Sequence, residues 1–318
     1  MHFLCKLNLK SCKNSFTMDL YRNEVRPMSA YHENAIPLTT MPEIHNGFVA
    51  FYSYSPKMES WEFHCHDFYE FYIHLKNGQY FAVDNDMYQL EPDQIFILPP
   101  FCMHGLSGLG VMNDYERAYV NITPDALRLL GCEQIDLDRF FRSYTSRGLI
   151  CFQLTRKQAQ QLVDWICDLQ ENQNASRSLD RFRNYAVLLN FLTTVCDIAG
   201  HSEALTETVM ANSIMQKVLT YINSNYMQPL KIADIAKQFN ISVSYLSHEF
   251  AKHTNRSIYE YILYRRVMLA KEMMHTEASL NSIAYQCGFN DYSNFLRMFS
   301  KIVGLSPRQY RNQLRSKA

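Results

Sequence analysis

Two sets of side chains have the types and spacing to do chemistry. In the first, His64, His66, Glu70, Tyr72 and His74 share one parity, so a continuous strand would turn all five to one face. His104 comes later, after Pro99-Pro100. Imidazole and carboxylate groups on an otherwise aromatic face, with Phe68, Tyr72, Tyr80 and Phe96 as walls, suit a sugar or another small polar ring compound. Plain core packing is the alternative for each aromatic, and a strand-end residue without a role is the alternative for His74.

The second set reads as a surface for DNA. Where Leu246 and Phe250 point inward, Ser244, Ser247 and His248 face out; where Phe295 and Phe299 are core, Tyr292, Ser293 and Arg297 take the outward places. Arg297 is the sharpest of these, because a bidentate guanidinium contact to guanine discriminates by roughly 1 to 3 kcal/mol. A phosphate contact, which positions without specifying, is its alternative. The serine hydroxyls can donate or accept and His248 depends on its tautomer, so the first half reads as the less selective. Lys252, His253 and Lys301 are placed for phosphate.

The elements that carry this second set are duplicated. Ile232, Ile235, Ala236, Ile241, Leu246 and Phe250 recur as Leu280, Ile283, Ala284, Phe289, Phe295 and Phe299, at an offset of 48 residues before the turn and 49 after it. Each copy reads as helix, turn, helix, and the turn needs a residue that tolerates positive φ: Asn240 in one copy, Gly288 in the other. Between them Ser257 to Met274 lacks Gly and Pro and reads as one helix, roughly 27 Å long at 1.5 Å per residue. That spacing would present the two outer helices to successive major grooves, which repeat about every 34 Å.

The first set lies in a different kind of chain. Short alternating runs at Gly47 to Tyr54, Glu62 to Leu75, Gln79 to Val83, Met87 to Leu90, Gln94 to Leu98 and Tyr115 to Ile122, with turns at Lys76-Asn77-Gly78 and Asp84-Asn85, predict an antiparallel barrel or jelly roll. Thr155 to Glu171 and Ser178 to Ala199 then read as two amphipathic helices joined by a polar loop. They either pack back on the barrel or pair two subunits; two long apolar stripes on one barrel favour a dimer. The chain therefore reads as an α+β protein, a β-barrel with a following helical pair and then an all-α domain of two helix-turn-helix units. The expected divisions are an N-terminal arm over 1–42, an effector and dimerisation domain over 43–200, a linker over 201–210 and a DNA-binding domain over 211–318.

At two places the residues resemble known families. IADIAKQFNISVSYLSHEFAKHTNRSIYEYILYRRVMLAKEMM from Ile232 to Met274, and SLNSIAYQCGFNDYSNFLRMFSKIVGLSPRQYR from Ser279 to Arg311, resemble the DNA-binding domain of the AraC/XylS transcription regulators. The likeness covers about the last third of the chain, and Gly304-Leu305-Ser306-Pro307 followed by Tyr310-Arg311 is typical of it. Two residues depart: His248 stands where the family often has Arg, and Lys231 where it favours a Ser or Thr cap. HCHDFYE from His64 to Glu70 and PPFCMH from Pro99 to His104 resemble the two motifs of the cupin barrel that serves many of these regulators as sensor, with Phe101 where a Gly is usual.

The resemblance implies a ligand-responsive regulator, an activator rather than a repressor, with double-stranded DNA, a small-molecule effector, a second copy of itself and RNA polymerase as partners. His64, His66, Glu70, Tyr72, Tyr80 and His104 would be the effector contacts. No cofactor is expected; the alternative is that His64, His66, Glu70 and His104 hold a divalent Mn, Fe, Ni or Zn. The competing function is a metal-dependent cupin enzyme fused to a DNA-binding domain. No nucleophile-base pair, Gly-rich phosphate loop or H-E-x-x-H helix supports catalysis.

Charge and composition agree with this division. The 318 residues carry no net charge, but Thr208 to Ala318 holds 14 Lys and Arg against 6 Asp and Glu, leaving 17 against 25 in the first 207. A basic head on an acidic body suits phosphate binding. Nine cysteines without a C-x-x-C pair read as reduced thiols of a cytoplasmic protein. No apolar run nears the roughly 20 residues that span a bilayer. Met1 to Thr17 carries Lys6, Lys10 and Lys13 and lacks a signal-peptide core, and Met18 is a candidate start.

Overall fold

The computed structural model describes residues 44, 47–58, 64–107, 111–148, 150–172, 177–206, 213–254 and 256–317. The expected arm, the candidate start at Met18 and part of the expected linker lie outside them. Among the described residues, eight strands form two sheets. The larger has the order β1-β7-β2-β5-β8, built from β1 (Phe48–Met58), β2 (Tyr69–Lys76), β5 (Gln94–Leu98), β7 (Met112–Ile122) and β8 (Cys151–Gln153). The smaller, β4-β3-β6, comprises β3 (Tyr80–Val83), β4 (Asp86–Gln89) and β6 (His104–Ser107). Asn77 and Asp84 take positive φ at the turns read from the sequence.

Alternation along the strands gives the large sheet two buried faces. Tyr69, Phe71, Ile73, Ala118, Val120 and Ile122 point to the side covered by helices, while Tyr72, Phe96 and Tyr115 point inward to Phe81 of the small sheet. The covering helices are α1 (Pro124–Leu130), α2 (Leu137–Thr145), α3 (Arg156–Asn172) and α4 (Ser178–His201). Thr155 and Gln158 cap α3 reciprocally at 2.8 and 3.3 Å. On α4, Leu188, Leu192 and Val195 are buried and Phe191 meets Phe71 edge-on at 5.8 Å, whereas Phe182 and Leu189 of the same helix are exposed.

Helices α5 (Ile214–Asn225), α6 (Ile232–Gln238), α7 (Val243–Thr254), α8 (Ile258–Met273), α9 (Leu280–Gln286), α10 (Tyr292–Val303) and α11 (Pro307–Lys317) form the last domain. The repeat holds bond for bond: Ile241 N–H donates to Ala236 carbonyl and Phe289 N–H to Ala284 carbonyl, each at 3.0 Å, around Asn240 at φ 55° and Gly288 at φ 90°. Lys231 gives α6 no side-chain cap, while Ser279 caps α9 and Ser257 with Glu260 forms a capping box on α8. The domain's core continues into the barrel, taking in Cys65, Ala82, Met87 and Met103.

Four expectations need correction. The run from Glu62 to Leu75 is not one strand: β2 starts at Tyr69, because the backbone from His64 to Phe68 leaves the ladder for other partners. Tyr80 does not line the barrel interior. Its parity matches Ala82, so it packs toward the DNA-binding domain and Phe81 takes the inner place. The second long helix runs on through Gly200 and His201. Strands β6 and β8 and helices α1 and α2 were not foreseen.

Candidate functional site

The loop before β2 and the turn before β6 are stitched together. His64 and His104 exchange backbone hydrogen bonds at 2.9 and 2.8 Å, and Phe101 N–H donates to the His66 carbonyl at 2.7 Å. Phe101 occupies φ 64°, a left-handed conformation costly for a bulky side chain, at the position where a glycine is usual. This stitching brings together three imidazoles that strand parity alone would not: the His64 and His104 rings lie 4.4 Å apart, and His66 and His104 4.9 Å. Glu70, the second residue of β2, meets them with Oε2 at 3.1 Å from His66 Nε2 and 3.8 Å from His104 Nε2.

Hydrogen bonding within this cluster is incomplete. In two of the three imidazoles Nδ1 faces a carbonyl, His66 to Phe68 at 2.9 Å and His104 to Cys102 at 3.0 Å, and a carbonyl can only accept. Burial disfavours charging His66 and pushes its pKa down against the pull of Glu70. Burial alone would raise Glu70, but the imidazoles of His104 and His66 close to it override that and hold the carboxyl well below the usual range. His104 Nε2 has no hydrogen-bond partner among the described residues. The donor atoms of His64, His66 and His104 lie within 4.8 Å of one another. Carbonyl-oriented imidazoles around a carboxylate fit a divalent transition metal.

Of the remaining expected contacts, Tyr72 is fully buried inside the barrel, bonded to Tyr115 at 2.6 Å and stacked on Phe81 at 4.6 Å. Phe96 crosses both rings, Phe68 stacks on His66 at 3.8 Å, and His74 Nδ1 lies 3.4 Å from the Tyr72 hydroxyl. Sequence reading missed the other strand of this wall, where Arg117, Tyr119 and Asn121 alternate with Ala118, Val120 and Ile122. That alternation was visible within the run Tyr115 to Ile122.

On the recognition helices α7 and α10, Ser244, Ser247, His248, Lys252, Ser293, Arg297 and Lys301 are exposed and Tyr292 is half-buried. Leu246, Phe250, Phe295 and Phe299 are fully buried beneath them. Asp291 caps α10 through Ser293 and Asn294 N–H at 3.0 and 2.9 Å, and Gly304 closes it at φ 78°. Arg297 donates to Asn294 Oδ1 at 3.0 Å along the outer face. An unforeseen feature is Glu249, which draws His248, His253 and Lys252 at 3.3, 3.8 and 3.9 Å. Its one-, three- and four-residue separations from those bases were the signal.

The chain matches two family models, an AraC-like ligand binding domain over residues 46–188 and a helix-turn-helix domain over 235–313. It is 24% identical over 277 residues to the uncharacterized HTH-type transcriptional regulator YdiP of Escherichia coli K12, covering 83% of this chain and 85% of that one. Against the HTH-type transcriptional activator RhaS of Enterobacter sp. 638 it is 24% identical over 258 residues, 78% of this chain and 86% of the relative. An uncharacterized HTH-type transcriptional regulator from the cgkA 5' region of Pseudoalteromonas carrageenovora is 30% identical over 121 residues, 38% of this chain and 72% of that one.

Proposed function

The chain belongs to the AraC-type helix-turn-helix transcription regulators, and from that premise we propose that it is a dimeric, effector-controlled activator that works in the cytoplasm through two DNA-reading units per subunit. Ser244, Ser247 and His248 on α7 and Tyr292, Ser293 and Arg297 on α10 are the base-reading residues, with Lys252 and Lys301 on phosphate. A relative named as an activator supports the sign, and RNA polymerase is then the downstream partner. The exposed Leu179, Phe182 and Leu189 on α4 support pairing of two subunits. No turnover is assigned to the barrel. No helix among the described residues is long and apolar enough to cross a membrane.

The observation that carries the reading is the attachment of the barrel cluster to α8, the helix that joins both reading units. Tyr264 on α8 bonds the backbone of Cys65, between His64 and His66, while Lys271 and the α11 residue Tyr310 hold Asp67 at 3.1 and 2.9 Å. A ligand that favours one arrangement of this loop therefore favours one arrangement of the reading heads. Genome-wide mapping of bound DNA tests the function, since it should return promoter sites containing two half-sites. Binding to those sites should weaken steeply with salt. Binding without preference over random DNA would refute the reading.

The orientation of His66 and His104 by carbonyls favours a second reading of the same cluster. His64, His66, His104 and Glu70 would hold a divalent transition metal, which would supply a Lewis-acidic point for an effector oxygen. Metal analysis of the purified chain, before and after His66→Ala, tests it.

A further inference from the structure

The two recognition helices are copies at an offset of 49 residues, yet they differ in charge on one flank. Helix α7, VSYLSHEFAKHT, carries a carboxylate at Glu249, and α10, YSNFLRMFSKIV, carries none. Met298 stands at the equivalent place, between Arg297 and Phe299 as Glu249 stands between His248 and Phe250. DNA phosphates repel a carboxylate, so a helix built to meet them carries one at a cost in affinity.

The geometry shows what stands against that cost. Leu246 and Phe250 fix α7 on the core, which leaves Glu249 half-buried on the flank beside the outer face. From there Oε1 lies 3.3 Å from His248 Nδ1, while Oε2 lies 3.9 Å from Lys252 Nζ and 3.8 Å from His253 Nε2. One oxygen therefore faces the base-reading imidazole and the other faces the two groups placed for phosphate. An ionised carboxylate only accepts, so its bond to His248 puts a proton on Nδ1 and leaves Nε2 for a base edge.

We propose that Glu249 is a specificity determinant of the first reading unit, a built-in counter-anion that competes with DNA phosphate for Lys252 and His253 and orients His248 for a base. The inference rests on the reading of α7 as a DNA-reading helix. On random DNA only the competition acts: Lys252 exchanges one anion for another, and the carboxylate repels the backbone. On a matched half-site the oriented imidazole meets its base, which offsets that loss. Specificity is a difference of affinities, and a repulsive element that acts mainly on wrong sites widens it.

The test measures binding of the full chain by fluorescence anisotropy across a range of salt. The probes are a promoter duplex recovered by the mapping experiment and a duplex of the same composition in shuffled order. Exposed ion pairs set the scale at up to about fivefold each. Glu249→Gln is expected to bind the shuffled duplex about threefold to tenfold more tightly at low salt, with a salt slope steeper by up to about one ion. Promoter affinity should stay within about twofold, so the preference for promoter shrinks by about threefold or more. Adding Lys252→Gln should remove the gain on shuffled DNA, because the lysine is the group set free. Should Glu249→Gln lower the melting temperature, Glu249→Ala, which favours helix, carries the same expectation on shuffled DNA. A gain that Lys252→Gln leaves standing would overturn the inference. So would promoter affinity that falls about tenfold with shuffled binding unchanged, which would make Glu249 a direct contact to cytosine. If the wild-type chain does not prefer promoter to shuffled duplex, the reading of α7 falls and this inference with it. A preference that Glu249→Gln leaves intact removes the inference alone.

Discussion

The hydroxyl of Tyr264 donates to the carbonyl oxygen of Cys65 at 2.9 Å and lies 3.4 Å from its amide nitrogen, so one side chain of the helix between the reading units closes on the residue between His64 and His66. Around this bond, Arg265 reaches Asp84 Oδ1 and the Phe101 carbonyl, each at 3.3 Å, and Lys271 and Tyr310 share Asp67. Every barrel residue in this set flanks a member of the histidine cluster or belongs to the turns stitched to it. A shift of the cluster is thereby a shift of the surface on which α8 rests.

Tyr264→Phe and Asp67→Asn are expected to leave both domains folded and uncouple them. Operator affinity should respond several-fold less to barrel ligands in either variant, while affinity without ligand changes in the same direction for both. Ligand titration of operator binding checks this; an unchanged response would deny the contacts any part in signalling. Lys271 and Tyr310 hold the Asp67 carboxyl below its usual value despite burial that would raise it. A depressed carboxyl stabilises above its unfolded pKa and loses that contribution as pH falls through the folded one. The clamp should therefore stay intact from neutral pH down to about 4.

The barrel itself should weaken in mild acid. Burial lowers the pKa of His74 to about 4 and lowers that of His66, so the unfolded chain, protonating near pH 6.5, takes up these protons before the fold does. Stability is then complete above about pH 6.5 and falls toward pH 4, with His74 contributing about 3 kcal/mol of the loss. Urea unfolding of wild type and His74→Gln across pH 7 to 4 should show curves that converge in acid. Parallel curves would mean His74 is protonated in the native barrel.

Sequence legibility followed how local the determinants were. The second unit was readable in outline, because its helix period and its Gly288 turn lie within a few positions of what they control. The start of β2 was not readable. The backbone from His64 to Phe68 bonds to His104, Phe101 and Tyr264, the last 199 residues away, and a strand whose ladder groups are taken elsewhere looks like any other strand in its side chains. Tyr80 was misplaced for a related reason: four residues of β3 alternate correctly in either parity, and the opposed sheet decides which face is inside. The cluster itself was legible as a set, though the route that assembles it was not.

The two turns should differ sharply in tolerance. A Cβ on Gly288 would stand 2.4 Å from the Met227 carbonyl oxygen, and the φ of 90° is itself costly for alanine. Gly288→Ala is expected to destabilise the C-terminal domain by at least about 1 to 3 kcal/mol. Asn240→Gly, at φ 55°, should change stability by no more than about 1 kcal/mol. Thermal unfolding of both variants decides; equal effects would mean Met227 yields.

Arg297 donates to Asn294, so the proposed base contact requires that bond to break. Arg297→Ala is expected to flatten preference at one base pair of the second half-site by about 1 to 3 kcal/mol and leave the other positions alone. Competition binding with singly substituted operators measures it. Uniform weakening across all of them, with a salt slope shallower by about one ion, would move Arg297 to the phosphate backbone.

Phe182 offers the most direct test of assembly. It is 71% exposed, and Leu179 and Leu189, three residues before and seven after it, lie on the same outer face of α4. The inner face is already filled by Leu188, Leu192 and Val195 against the barrel's helix-covered core, so removing Phe182 opens no cavity. Phe182→Asp should therefore keep the barrel's melting temperature and turn a dimer into a monomer in analytical ultracentrifugation. Because each subunit carries a complete pair of reading helices, the monomer should keep its affinity for a single site and lose the added affinity for two adjacent sites. Dimerisation that survives Phe182→Asp and Leu189→Asp together would place the subunit contact on another surface.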